Sequence, residues 1–162
     1  MVVVFAVFFT GCNKAQPTAA PTLPEGYSWH NNDEFGYKIA YPEGWTVVPG
    51  ATEGLSGGMI HVQTFEEPDG PGMFSAIIST EYALAALKAQ GGQDVVINGR
   101  NGYKVTSQIT IGAGEHTIIR KMKTCAFVVN GKYYVIQGSY SGDLWDEYAA
   151  TFDNAINSFV IE

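Results

Sequence analysis

The stretch Thr117–Tyr140, TIIRKMKTCAFVVNGKYYVIQGSY, decides the fold. Asn130-Gly131 near its middle is the strongest two-residue signal for a β-hairpin, because the favoured turn needs φ > 0 at both positions. Thr117–Val129 and Lys132–Tyr140 are rich in β-branched and aromatic residues, so they read as the two arms. In the second arm Tyr133, Val135 and Gln137 alternate with Tyr134, Ile136 and Gly138. Bulky groups fall on both faces, which predicts a central strand covered on both sides. Upstream, Val95–Ile97 and Tyr103–Ile111 flank Asn98-Gly-Arg-Asn-Gly102, a double turn signal for another hairpin.

Strands also read out towards the N-terminus. Tyr37–Tyr41 alternates, Pro42-Glu-Gly44 turns the chain, and Trp45–Val48 resumes a strand ending at Pro49-Gly50. Met59–Phe65 follows, with Ile60, Val62 and Thr64 on one face, and then Phe74–Ser79. On that reading His61 faces solvent. A first helix is expected over Glu81–Gln90, capped by Ser79 or Thr80 and stopped by Gly91-Gly92. A second is clearer: Leu144, Tyr148, Phe152, Ile156 and Phe159 recur at spacings of four and three, one apolar stripe, with Asp143 as the expected N-cap. Ser158–Ile161 is expected to end as a short strand. About seven mostly antiparallel strands and two helices make an α+β sandwich.

The 162 residues suit one domain with a short extension, and 46% hydrophobic against 15% charged residues excludes wholesale disorder. With 9 basic and 16 acidic residues the net charge is -7, which argues against nucleic-acid binding. The apolar run Val2–Phe9 is too short to span a bilayer, which takes about 20 residues, but fits a signal-peptide core. Phe9-Thr10-Gly11-Cys12 resembles the lipobox of secreted prokaryotic lipoproteins, in which the Cys thiol is acylated and becomes the mature N-terminus. No Lys or Arg precedes Cys12, so the true start is expected upstream of Met1. Asn13–Gly26, rich in Pro, Ala and Thr, reads as a flexible tether. The expected organisation is a signal peptide over residues 1–11, lipidated Cys12 and tether over 12–26, and a folded domain over 27–162.

Side chains that could carry chemistry are few. His30, His61 and His116 are far apart and lack metal-ligand spacing. Glu66, Glu67 and Asp69 share a Pro/Gly-rich loop; they lack the ligand spacing of an EF-hand and read as a solvated acidic loop rather than a Ca²⁺ site. Arg120, Lys121 and Lys123 form the one basic cluster and read as the solvent face of an edge strand. Cys125, in an apolar run, reads as an inert core thiol. Trp29, Trp45 and Trp145 read as packing residues. The Gly54–Gly58 run does not fit a phosphate-binding loop, and no Ser sits in a nucleophile elbow.

Phe35-Gly-Tyr-Lys-Ile-Ala-Tyr-Pro-Glu-Gly-Trp45 resembles the opening hairpin of the PsbP-like family, named for an extrinsic subunit of photosystem II. Asn98–Tyr103, the Tyr-rich strand Tyr133–Tyr140, and Tyr148–Phe159 with its Asn157-Ser-Phe ending resemble later parts of that family. The resemblance covers about Tyr27–Glu162 and implies a central antiparallel sheet flanked by helices, an α/β/α sandwich. It implies an assembly, stabilising or binding module with no catalytic, cofactor or metal residues. The expected protein is a non-enzymatic lipoprotein, held by lipid on Cys12 to the outer face of the cytoplasmic membrane, that binds a protein partner. The alternative is an extracytoplasmic small-molecule or ion-binding module; a hydrolase with dispersed catalytic residues comes third.

Overall fold

The computed structural model describes residues 21–81, 84–112 and 117–162. In chain order the strands are β1 (Tyr27–Asn32), β2 (Tyr37–Pro42), β3 (Thr46–Ala51), β4 (Met59–Glu66), β5 (Met73–Ser79), β6 (Gln93–Ile97), β7 (Arg100–Ile111), β8 (Ile118–Val129), β9 (Lys132–Ser141) and β10 (Val160–Ile161). Helix α1 (Leu84–Ala89) lies between β5 and β6, and α2 (Trp145–Ser158) between β9 and β10. Seven strands form one antiparallel sheet in the order β3-β4-β5-β9-β8-β7-β6, and β1-β2-β10 form a second. The α+β sandwich is therefore present, and β9 is the middle strand between β5 and β8.

Both Asn-Gly turns work as expected. Asn130 and Gly131 have φ of 51° and 75°, and Val129 pairs with Lys132 across them. Asn98 and Gly99 have φ of 50° and 75°, and Ile97 pairs with Arg100. These are the mirror-image turns whose twist matches the flanking strands. Of the double signal, only Asn98-Gly99 turns the chain; Asn101-Gly102 lies inside β7.

Other expectations are corrected. β1 was not anticipated. Pro42–Trp45 does not close a hairpin: it carries the chain from β2 in the small sheet to β3 in the large one. β3 runs on through Pro49-Gly50 with an irregularity between Val48 and Ala51. Helix α1 is described only from Leu84, because residues 82 and 83 lie outside the described residues. At α2 the N-cap position is Leu144, with no side-chain cap, and Asp143 sits in a preceding 3₁₀ turn, Gly142–Leu144. Acidic Asp146 and Glu147 still occupy the first turn, where they complement the helix dipole.

The core lies between one face of the large sheet and a layer made of α2 and the small sheet. Phe65, Phe74, Ile78, Ile136 and Phe127 of the sheet meet Phe152 and Ile156 of α2, Tyr37 and Ile39 of β2, and Ile161 of β10, all buried. Burying each such side chain contributes roughly 1.5–3 kcal/mol. Gly138 lets α2 approach β9, because a Cβ there would lie 2.4 Å from the Phe152 ring. The small sheet is tied to the end of α2 and completed by β10. The Ala40 N–H donates to Ser158 Oγ at 2.8 Å, and Ile161 pairs with Tyr37.

Candidate interaction surface

The opposite face of the large sheet is only half covered. Paired residues in antiparallel strands share a face, so the strand registers define it. One row across it is Thr64, Ser75, Gln137 and Thr124, and the next is Glu66, Met73, Ser139, Met122 and Ser107. Leu87 of α1 covers Val105, Ala126 and Val135, with Leu84, Ile77 and Tyr133 beside them. Beyond that helix, Met73, Ser75, Ile77, Gln137 and Ser139 line an open depression of about 210 Å³. Two of its polar side chains have partners: the Ser75 and Thr64 hydroxyls are 3.1 Å apart, and Gln137 Nε2 donates to Met122 Sδ at 3.7 Å. Met73, Ile109, Ile118 and Val128 all expose apolar surface on this face.

On the α2 side of the same sheet, in the loop between β4 and β5, lies Glu67. Tyr140 and Tyr148 each donate a hydrogen bond of 2.7 Å to its carboxylate, and the Gly72 N–H adds one at 3.3 Å. The two phenol rings stack at 3.7 Å. Burial pushes this carboxyl up, but the bonds from Tyr140, Tyr148 and Gly72 outweigh it and leave it below its ordinary value. Burial first, then the bonds with Tyr148 and Glu67, push the Tyr140 phenol up, so it stays protonated and donates. The loop is therefore not simply solvated, as the sequence suggests; Glu67 fastens it to β9 and α2. Glu67→Gln removes the charge that both phenols favour and should destabilise the fold by about 1 kcal/mol, since the site is partly exposed. In the parent chain this stabilisation should be present above pH 4.5, the ordinary carboxyl value, and be lost as pH falls through the lowered one. Urea unfolding of both chains at pH 7 and pH 3.5 checks this: a gap that does not shrink at low pH refutes it.

The other sequence candidates separate. Cys12 and His116 lie outside the described residues. His61 does not face solvent. It is 3% exposed, because the inward face of β4 carries His61, Gln63 and Phe65, while Val62 and Thr64 belong to the open face. A register irregularity between Met59 and His61 also breaks the alternation. The structure brings His61 near His30: Tyr37 contacts both rings. The basic cluster is not on an edge strand. β8 is interior, and Lys123 is buried on α2, 2.7 Å from Asp153 and 3.3 Å from the Ala149 carbonyl. Cys125 is fully buried and its thiol is pushed up to about 12 by burial, so it is inert as expected. Trp145 is buried, Trp45 packs at 5.8 Å on Phe74, and Trp29 lies under Lys38. Among the described residues no group of three or more His, Cys, Asp or Glu is placed to hold a metal ion.

Comparison with known proteins turns on this sheet order. The solution structure of cyanobacterial PsbP (CyanoP) from Synechocystis sp. PCC 6803 matches with a TM-score of 0.62 over 95% of this chain and 99% of that one, at 19% identity. The chain has a PsbP-like fold. A crystal structure of a Bacteroides thetaiotaomicron VPI-5482 protein also matches, with a TM-score of 0.55 and 12% identity over 78% of this chain. This chain's match spans 45% of that protein. No protein-family profile and no curated protein matches the sequence. At these identities the likeness gives the PsbP-like fold alone. It was legible in the Tyr-rich strand and the stripe of α2, although the motif taken for an opening hairpin is a crossover between sheets.

Proposed function

We propose that this chain is a non-enzymatic lipoprotein, anchored through lipid on Cys12 to the outer face of the cytoplasmic membrane, whose PsbP-like domain binds a protein partner on the open sheet face. The observation that carries this reading is the half-covered face itself, with Met73, Ile109, Ile118 and Val128 exposed around a floor of Ser, Thr and Gln. Exposed apolar side chains beside adaptable Met residues suit a protein contact. Depressions on the described surface measure about 210, 240, 260 and 250 Å³ and are open. That is below the roughly 300–1,000 Å³ of small-molecule pockets, which favours the protein-binding reading over the small-molecule alternative. The lipobox-like Phe9–Cys12 and the tether support the anchor.

The test is crosslinking in intact cells, followed by mass spectrometry of what is joined to the domain. One reproducible membrane partner is expected, lost in Cys12→Ala and lost again in Met73→Glu with the anchor intact. Mass spectrometry of the protein itself should find an acylated Cys12 and no peptide from residues 1–11. An unmodified N-terminus overturns the anchor; an unchanged partner in Met73→Glu overturns the docking face.

A further inference from the structure

The inner ends of β1, β2 and β4 enclose two imidazoles that the proposed function does not use. His61 Nε2 is 3.2 Å from Asn32 Nδ2 and 3.1 Å from Tyr37 Oη. The Asn32 amide nitrogen, oriented by the Phe35 N–H on its Oδ1, can only donate, so Nε2 accepts and the ring proton resides on Nδ1. That Nδ1 is buried and has no hydrogen-bond partner, and neither has His30 Nε2. The surroundings are aromatic: Phe35 stacks on His61 at 4.3 Å, and Phe65 stands edge-on to His30 at 5.4 Å. From β3, the Gly50 backbone packs close against the His61 ring, since a Cβ there would lie 2.6 Å from it.

We infer that His30 and His61 form an acid-released seam between the small sheet and the large one. Protonation turns His61 Nε2 into a donor that faces the donor-only Asn32 amide, so that bond must break and the Tyr37 hydroxyl must turn round. No buried carboxylate lies in the seam to pair with the new charge. The groups facing it are His30 and Asn32 from β1, Glu34 and Phe35 from the following turn, Tyr37 from β2, and Gln63 from β4. Gln63 is engaged with the carbonyls of Val48 and Thr64. Glu34 is exposed and draws His61 up only in part, while His30 opposes. Burial, the largest influence on each, holds both imidazoles below their ordinary 6.5. The unfolded or opened chain therefore takes up protons below pH 6.5 that the closed seam refuses, and closure weakens as pH falls. This window lies above that of Glu67, whose carboxyl sits below 4.5.

Hydrogen exchange of the full chain between pH 7.5 and 5.5, corrected for intrinsic rates, tests the seam. Below pH 6.5 the opening constant of β1 amides should rise by up to about tenfold per pH unit for each imidazole that titrates. Amides of β9 should keep their protection. In His30→Phe/His61→Gln the dependence should vanish. Nitrogen NMR of the parent chain, which needs no variant to fold, should show His61 with its proton on Nδ1 and both imidazoles titrating below 6.5. Parallel loss of protection in β1 and β9, or an imidazole titrating at or above 6.5, overturns the inference.

Discussion

Phe152→Ala should destabilise the domain by about 3–5 kcal/mol, the range for emptying a large buried aromatic site. Phe152 is 1% exposed, lies over Gly138 of β9, and has Trp145 at 5.8 Å and Tyr140 at 6.4 Å. These neighbours are held by the sheet and by α2 itself, so the site can collapse little. The converse change probes the same contact. Gly138→Ala would place a methyl 2.4 Å from the ring, and overpacking of this kind costs typically 1–3 kcal/mol. Because the two positions touch, Gly138→Ala/Phe152→Leu should be less damaging than the sum of the single changes. Urea unfolding of the parent, Gly138→Ala, Phe152→Leu and the double variant measures this coupling, with Phe152→Ala measured beside them. A Phe152→Ala loss below about 1 kcal/mol, or strict additivity, would show that α2 does not seat on Gly138.

The next largest effect is expected at Asp153. Its carboxylate lies 2.7 Å from Lys123 and 3.6 Å from Lys104, and Lys123 sits 5.6 Å from the centre of the Trp145 ring. Lys123 is 8% exposed, so Asp153→Ala leaves an ammonium buried with the Ala149 carbonyl as its main remaining partner. Breaking a fully buried pair costs about 3–5 kcal/mol. The Asp153 side chain is 38% exposed, so water compensates in part and about 2 kcal/mol is expected. Lys123→Met/Asp153→Leu removes both charges and should recover most of that loss. Thermal unfolding distinguishes the two: a double variant no more stable than Asp153→Ala would mean that the pair itself, and not the stranded charge, sets the cost.

What was legible in the sequence is what is written locally. Asn-Gly favours φ > 0 twice, so the Asn130-Gly131 turn could be placed to the residue, while the double signal Asn98–Gly102 left open which Asn-Gly turns the chain. The α2 stripe follows from the 3.6-residue period. What was not legible depends on partners far along the chain. β1 has a weak strand pattern, and its pairing with β2 shows only when β10 and α2 complete the layer. His61 and Gln63 alternate with Val62 and Thr64, and hydrophobicity alone assigns the inward face to the wrong pair; Tyr37 and Asn32 settle it from 24 and 29 residues away. Lys123 reads as a surface cation until Asp153, 30 residues on, is placed against it. Glu67 reads as loop charge because its phenol donors stand 73 and 81 residues downstream. The open sheet face left a trace that could have been used: Ser75, Gln137 and Ser139 are small or polar groups at central-strand positions where a covered sheet would carry aliphatics.

β10 is two residues long and follows α2, yet it pairs with β2, near the start of the domain. Asn98 and Arg100 then close over its backbone, donating to the carbonyls of Phe159 and Ile161. A chain emerging residue by residue from a ribosome can form its hairpins early, because their partners are adjacent. It cannot close the small sheet until Ile161 is free. The β1-β2 hairpin must wait for its third strand until β10, far along the chain, has been made, and closure over that span is slow compared with hairpin formation. The domain thus stays incomplete until β10 has been made, and the small sheet is the last part of the fold to close.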